Sequence, residues 1–292
     1  MNGKFKGMMF TIASALLFGF TPVLASLTYE MGSNANTLTF YRNLLVVPVA
    51  AVIMLIKKIP FRVTKEELLR LLAVGVLFRA TTTFMLYESY QYVGIGTATT
   101  LHFLYPVCTA LICFLLFREK LGPGKVAALA IATAGIAFFC DFSESIRPMG
   151  VFLAVTSAMT YGCYMAGMEK TGLKDMNTIK VVFYMGISNA AAMLAIGLPR
   201  GTINFLLPPT AMLYTFIVAV CTSFAAVALL QIGIRELGAP TAAIFSMFEP
   251  IASVLAGWIF LSEAMPVNKV IGCVVILTAV TIIAVIDKRK SA

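Results

Sequence analysis

Charge is scarce in this chain. Only 12% of its 292 residues are Asp, Glu, Lys or Arg, about half the share of an ordinary soluble domain. A soluble fold with so few charges would leave most of its surface apolar and would aggregate. Lipid is therefore the solvent for most of the chain, and a secreted, cytosolic or nucleic-acid-binding globule is excluded. Histidine and tryptophan are rarer still, at one each (His102 and Trp258). A lone histidine with no cysteine beside it speaks against a metal site. It also has no acidic orienter near it in sequence, and no G-x-S-x-G occurs, so a Ser-His-Asp hydrolase lacks its parts. The six cysteines (Cys108, Cys113, Cys140, Cys163, Cys221, Cys273) all fall in apolar stretches without a C-x-x-C. They read as small packing residues, not as a disulfide or metal framework. There is no G-x-x-x-x-G-K-[ST], hence no P-loop ATPase in this chain, and Gly94-Ile95-Gly96 reads as a helix start. Neither a cofactor nor an enzymatic activity is expected.

What fills the chain instead is apolar: 60% of residues, with a mean hydropathy of +0.93. A membrane-spanning helix needs about 20 mostly apolar residues. Punctuating the sequence at charges, Pro and Gly gives ten such stretches, roughly 7–28, 36–56, 68–90, 95–117, 124–140, 149–168, 179–198, 210–233, 239–261 and 268–286. The first has no A-x-A cleavage site and is read as a first span, not a signal peptide. Lys and Arg fall on one side. Seventeen of the 22 lie at the amino terminus, in 57–70, 118–125 and 170–180, at Arg235 and in the tail Lys288-Arg289-Lys290. Only Arg147, Arg200 and Lys269 occupy the alternate loops. The positive-inside rule then puts both termini in the cytoplasm of a multi-pass plasma-membrane protein. It also explains the formal charge of +9 without a polyanionic partner.

The chain repeats itself. A shift of 144 places Gly94, Thr97, Ala98, Pro106, Leu111, Glu119, Lys125 and Val126 on Gly238, Thr241, Ala242, Pro250, Leu255, Glu263, Lys269 and Val270 without a gap. A shift of 143 places Gly7, Ser14, Ala15 and Gly19 on Gly150, Ser157, Ala158 and Gly162. Two five-helix units are expected, residues 1–144 and 145–292. Five is odd, so the second unit crosses in the opposite sense. Inverted repeats around a midplane site are a signature of secondary transporters, although a fused dual-topology scaffold has the same form. Small residues four apart (Ala154, Ala158, Gly162 and Ala166; Thr11, Ala15 and Gly19) are assigned to close helix packing. The expected fold is an all-α polytopic membrane protein of ten transmembrane helices.

These features together resemble the drug/metabolite transporter superfamily, EamA type. The resemblance rests on Phe117-Arg118-Glu119-Lys120-Leu121 and its mate Leu261-Ser262-Glu263-Ala264-Met265, on Phe40-Tyr41-Arg42, and on Ala98 to Pro106 repeated as Ala242 to Pro250. The family's usual span-ending motif carries Gly where Arg118 and Ser262 stand. Members export amino acids and other small metabolites, and some relatives import choline or nucleotide sugars. The resemblance implies transport and leaves the substrate open.

Ionisable groups inside a bilayer are costly and face a cavity or a partner. Arg42 and Glu88 lie near the outer surface and suit structural ties. Arg79 lies mid-span, with Thr83, Tyr87 and Tyr90 following on the same helical face; its planar fork suits a carboxylate, and pairing with Glu249 is the alternative. Glu249 lies mid-span before Pro250, which cannot donate to the Ser246 carbonyl, and Pro106 likewise frees that of His102; both prolines are expected to kink their helices. Glu249 and His102 are the proton-coupling candidates, which makes protons a candidate coupling ion. The expected substrate site holds Arg79, Thr83, Tyr87, His102, Tyr105, Tyr161, Phe245 and Glu249, with Tyr164 and Trp258 as further aromatic candidates. The favoured substrate is a small polar metabolite, an amino acid or related zwitterion. A quaternary amine such as choline is the runner-up, and a membrane enzyme or lipid scramblase is the alternative from another class. The sequence is compatible with a monomer or a homodimer.

Overall fold

The computed structural model describes residues 3–139, 147–262 and 264–289, with side chains up to Ile286. Cys140, Glu263, the side chains of the basic tail and the expected repeat boundary at 144/145 lie outside the described residues. Those described are helical and contain no strand. Eight segments among them are long and apolar enough to cross a membrane: Gly3–Glu30, Ala35–Ile56, Lys65–His102, Pro148–Lys170, Thr178–Gly197, Pro209–Leu237, Ala239–Phe260 and Val267–Ile286. Two shorter apolar helices, Tyr105–Phe117 and Pro123–Ala137, lie between them.

Local chemistry starts and stops these helices. α1 (Gly3–Gly19) gives way at Phe20 to α2 (Thr21–Glu30), whose first turn carries Pro22. α3 (Ala35–Ile56) begins where the Asn34 side chain accepts from the Thr37 N–H at 2.9 Å. α4 (Lys65–Leu72) begins in a capping box, Thr64 and Glu67 each bonding the other's backbone N–H. It runs through a π-helical segment, Ala73–Ala80, into α5 (Thr81–His102). After α6 (Tyr105–Phe117) and α7 (Pro123–Ala137) the second half opens with α8 (Pro148–Lys170) and α9 (Thr178–Gly197). α10 (Pro209–Val218) leads through a second π-helical segment, Ala219–Ala226, into α11 (Val227–Leu237). α12 (Ala239–Phe245), α13 (Phe248–Phe260) and α14 (Val267–Arg289) complete the chain.

The internal repeat reappears as backbone geometry. Gly94 breaks α5 at φ 70°, ψ 164°, and Gly238, 144 residues on, separates α11 from α12 at φ 80°, ψ 157°. Both are conformations that a Cβ disfavours. The breaks at Phe103–Leu104 and Ser246–Met247 fall within one residue of equivalence at that shift, and Arg118 and Ser262, both at φ 54°, follow the ends of their helices at equivalent positions. At those last two positions L-residues carry the left-handed conformation.

Packing repeats as well. The opening helix of each half lies against the other half: α1 on α11 and α13, α8 on α5 and α6. A Cβ on Gly19 would stand 2.5 Å from the Ala252 Cβ and 2.6 Å from the Glu249 carbonyl oxygen. A Cβ on Gly162, its counterpart, would stand 2.9 Å from both the Cys108 Cβ and the Thr109 nitrogen, the residues that match Ala252 and Ser253. Gly7 against Glu236 and Leu237 is likewise mirrored by Gly150 against Tyr92 and Val93. α3 pairs with α9 and α7 with α14 across the same relation. Glycine makes these crossings because apolar surface alone drives no association in lipid, whereas close backbone contact does.

One prolyl expectation fails. The Ser246 carbonyl is not left free by Pro250, because the helix breaks there and the carbonyl accepts the Glu249 N–H at 2.9 Å. Pro106 and Pro250 thus sit in the first turns of α6 and α13, not at bends within continuous helices.

Replacing Arg118 by Gly relieves a left-handed L-residue, which costs about 1–2 kcal/mol, and Ser262→Gly does the same. Each variant is expected to unfold at a higher temperature in detergent. Gly162→Ala, which pushes a methyl into α6, is expected to unfold at a lower one.

Candidate functional site

The two halves enclose a cavity of about 230 Å³. Its walls come from α1 and α2, α3, the first π-helical segment with α5, α8, α11 and α13. Six of the eight residues expected from sequence line it: Arg79, Thr83, Tyr87, His102, Tyr161 and Glu249. Tyr90, on the same stripe as Arg79, lines it too, as does Tyr164.

The other two do not reach it. Tyr105 is 1% exposed and lies behind the lining, its ring 4.7 Å from that of Tyr161 and nearly perpendicular to it. Phe245 is also 1% exposed, in an α12 whose every residue is buried. The reason is the break at Ser246–Met247. Helix phase counted through residues 239–261 assumes one continuous helix, and the break resets that phase before Glu249. Trp258 is 53% exposed on the outer face of α13 and takes no part in the cavity.

Arg79 projects from the π-helical segment, a wide turn of the kind often found at functional positions. Its guanidinium lies over the Tyr164 ring, 5.8 Å from the centroid, and Nη1 stands 3.9 Å from the Met185 sulfur. Arg42, expected to be a structural tie, also lines the cavity, and its buried Nε has no hydrogen-bond partner. Sequence reasoning missed it because a position near the end of a span does not say which way the side chain points. Tyr29, Thr82 and Thr99 also line the cavity and were missed. Among the described residues, Arg42, Arg79 and Glu249 enter no ion pair, so the Arg79–Glu249 pair weighed from sequence is not formed. Glu88 is tied to Arg200 at 2.6 Å.

His102 is 9% exposed and packs on the Tyr105 and Tyr161 rings. Its Nδ1 lies 2.9 Å from the Ser157 Oγ, and that hydroxyl donates its proton to the Ala154 carbonyl at 2.6 Å. Nδ1 must then be the donor to Ser157, which leaves Nε2 with its lone pair. A hydroxyl committed in this way is not an activated nucleophile, so the Ser157–His102 contact orients the ring and does not build a hydrolase. No group of three His, Cys, Asp or Glu side chains able to hold a metal occurs among the described residues.

At the end that carries most of the Lys and Arg, the basic end, α8 is tied to the start of α12 in its own half and to Glu119, just after α6, in the other. Glu169 accepts the Ala239 N–H at 2.6 Å and lies 3.4 Å from Lys170 and 3.6 Å from Lys174. Lys170 also pairs with Glu119 at 2.5 Å. The repeat partner of Glu169 is Ser26, whose hydroxyl bonds only back to the Val23 carbonyl at 2.8 Å. The consequence is visible one position along: Ala239 is 0% exposed, whereas its counterpart Ile95 is 55% exposed and lines the cavity. Ala243 and Thr99 differ in the same way.

Broken helices, duplicated topology and a cavity lined by both signs of charge define a polytopic membrane protein with a chamber between its two halves. The model of the EamA-like transporter family matches residues 5–140 and again 148–285. The chain belongs to this family and is a membrane transporter. It is 25% identical over 302 residues to the "Uncharacterized inner membrane transporter YicL" of Salmonella typhimurium, covering 100% of this chain and 99% of that one. It is 24% identical over 287 residues to the "Uncharacterized transporter YcbK" of Bacillus subtilis, covering 91% and 89%. A solved crystal structure superimposes with a TM-score of 0.82 at 16% identity, covering 98% of this chain and 99% of that chain, which establishes the likeness of fold.

The His102–Ser157 bond is checked by a double-mutant cycle. Ser157→Ala is expected to cost about 1 kcal/mol and His102→Ala about 2, because the latter also loses its aromatic contacts. The coupling energy from chemical unfolding should be about 1 kcal/mol.

Proposed function

We propose that this protein is a secondary transporter, not driven by ATP, that moves a small polar metabolite by alternating access, and that its substrate is an amino acid or related zwitterion. In this reading the chain crosses the plasma membrane ten times as two inverted repeats, 1–144 and 145–292, with both termini in the cytoplasm. It acts as a carrier and not as an enzyme. The observation that carries the reading is the presence of Arg79 and Glu249 in one cavity, unpaired with each other. A partly buried charge with no ion-pair partner is incompletely compensated, and a ligand with a carboxylate and an ammonium answers both. His102 and Glu249 remain the groups through which a proton would be coupled.

Alternating access draws support from the unequal ends. With the basic end in the cytoplasm, Glu169 caps the start of α12 and closes that side. The equivalent outer mouth, at Ile95 and Ser26, has no such tie and opens into the cavity. The quaternary-amine reading is favoured by one observation, the five tyrosines Tyr29, Tyr87, Tyr90, Tyr161 and Tyr164 around the cavity. It is opposed by the two guanidiniums among them.

Counterflow of labelled amino acids into proteoliposomes tests the reading. Glu249→Gln and Arg79→Ala are each expected to reduce exchange about tenfold or more, the equivalent of one charge-assisted hydrogen bond. Lipid movement that no soluble metabolite competes with would favour the scramblase instead. In a cysteine-free background, Thr99→Cys should react with an impermeant maleimide applied outside, while Ala243→Cys stays unlabelled. Equal labelling of the two would refute the one-sided opening.

A further inference from the structure

The cavity holds two guanidiniums, Arg42 and Arg79, against one carboxylate, Glu249. Their depths follow from the helices that carry them, at about 1.5 Å per residue. Arg42 is seven residues into α3 from Ala35, about 10 Å below the end opposite the basic one. Glu249 is eleven residues from the end of α13 at Phe260, about 17 Å below it. Arg79 is fifteen residues before Gly94, about 22 Å below it. Counted from these helix ends, the three charges fall in the order positive, negative, positive. All three line the same cavity as Tyr161.

A neutral zwitterion answers only two of these groups. It leaves a second guanidinium, with a buried and partnerless Nε, repelling the first in a medium that screens poorly. We propose that the substrate is an amino acid with a second acidic group. One acidic group sits on Arg79, the ammonium on Glu249 and the other acidic group on Arg42, so that a ligand of net charge −1 neutralises a chamber of net charge +1. Bidentate pairing is the geometry in which Arg holds a carboxylate best, and among the described residues neither guanidinium enters an ion pair. The tyrosine faces and hydroxyls supply the remaining wall. This inference rests on the zwitterion reading and narrows it. A dicarboxylate without an amine leaves Glu249 unanswered, and a quaternary amine leaves both arginines so.

The test is isothermal titration of the purified full chain with L-aspartate and L-glutamate, their amides asparagine and glutamine, succinate and glutarate, and choline. Aspartate or glutamate is expected to bind about tenfold or more tightly than its amide, the yield of one additional charge-assisted hydrogen bond. In Arg42→Gln that preference should vanish. In Glu249→Gln the order should reverse, with the dicarboxylates overtaking the amino acids. Arg42→Lys keeps the charge and should keep part of the preference, and thermal unfolding of each variant separates lost binding from lost fold. Amides that bind as well as the acids overturn the second acidic group and leave the zwitterion reading standing. Succinate or glutarate that binds the native protein better than the amino acids overturns the role of Glu249. Choline as the sole ligand, or no binding by any carboxylate, overturns both this inference and the reading beneath it.

Discussion

In a bilayer, apolar side chains gain nothing by leaving lipid for one another, so the hydrophobic effect cannot hold two helices together there. The arrangement of this protein therefore depends on backbone approaching backbone. Gly19 on α1 and Gly162 on α8 bring the opening helix of each half against the turn that follows a break in the other half. The same contact is made twice because the sequence is duplicated. It brings the turn of Glu249 against α1, and the residues beyond Tyr105 against α8. Every other feature of the cavity, from the depth of Glu249 to the ring stack of Tyr105 and Tyr161, is built on those two crossings.

The breaks themselves have a physical logic. Irregular backbone is tolerated at membrane depth only where protein or a water-filled cavity satisfies it. The breaks after His102 and before Glu249 are satisfied by short local bonds, such as that from the Glu249 N–H to the Ser246 carbonyl. They turn otherwise ordinary helices toward an interior that holds polar groups. The halves differ where charge enters. Glu249 stands where the first half has Tyr105, and Glu169 where it has Ser26. Each substitution breaks the two-fold relation locally, one by giving the cavity its carboxylate and the other by capping the start of α12.

Much of this was legible in the residues. The repeat of Gly94 and Pro106 as Gly238 and Pro250 marked the halves, since only a conserved backbone geometry demands the same residues at the same spacing. The stripe Arg79, Thr83, Tyr87, Tyr90 marked a cavity wall, because helix phase is reliable where a helix runs unbroken. Phase failed at Phe245 and Trp258, on a helix interrupted at Ser246–Met247. It was silent on Arg42, where the face of α3 turned toward the cavity depends on α3 packing against α9.

By itself, the sequence determined the solvent, the helices, the duplication and the types of charge that lie within the spans. These are properties of composition and of short-range periodicity, and each residue carries them wherever it goes. Only the tertiary structure decided which of those charges meet, that Arg79 and Glu249 share a chamber without pairing, and that Arg42 joins them. It also decided that Glu169 caps the start of α12 while its counterpart Ser26 bonds only back to Val23 and leaves Ile95 exposed. Such facts depend on the rotation and depth of helices packed by a few glycine contacts far apart in the chain, and no local pattern encodes a rotation.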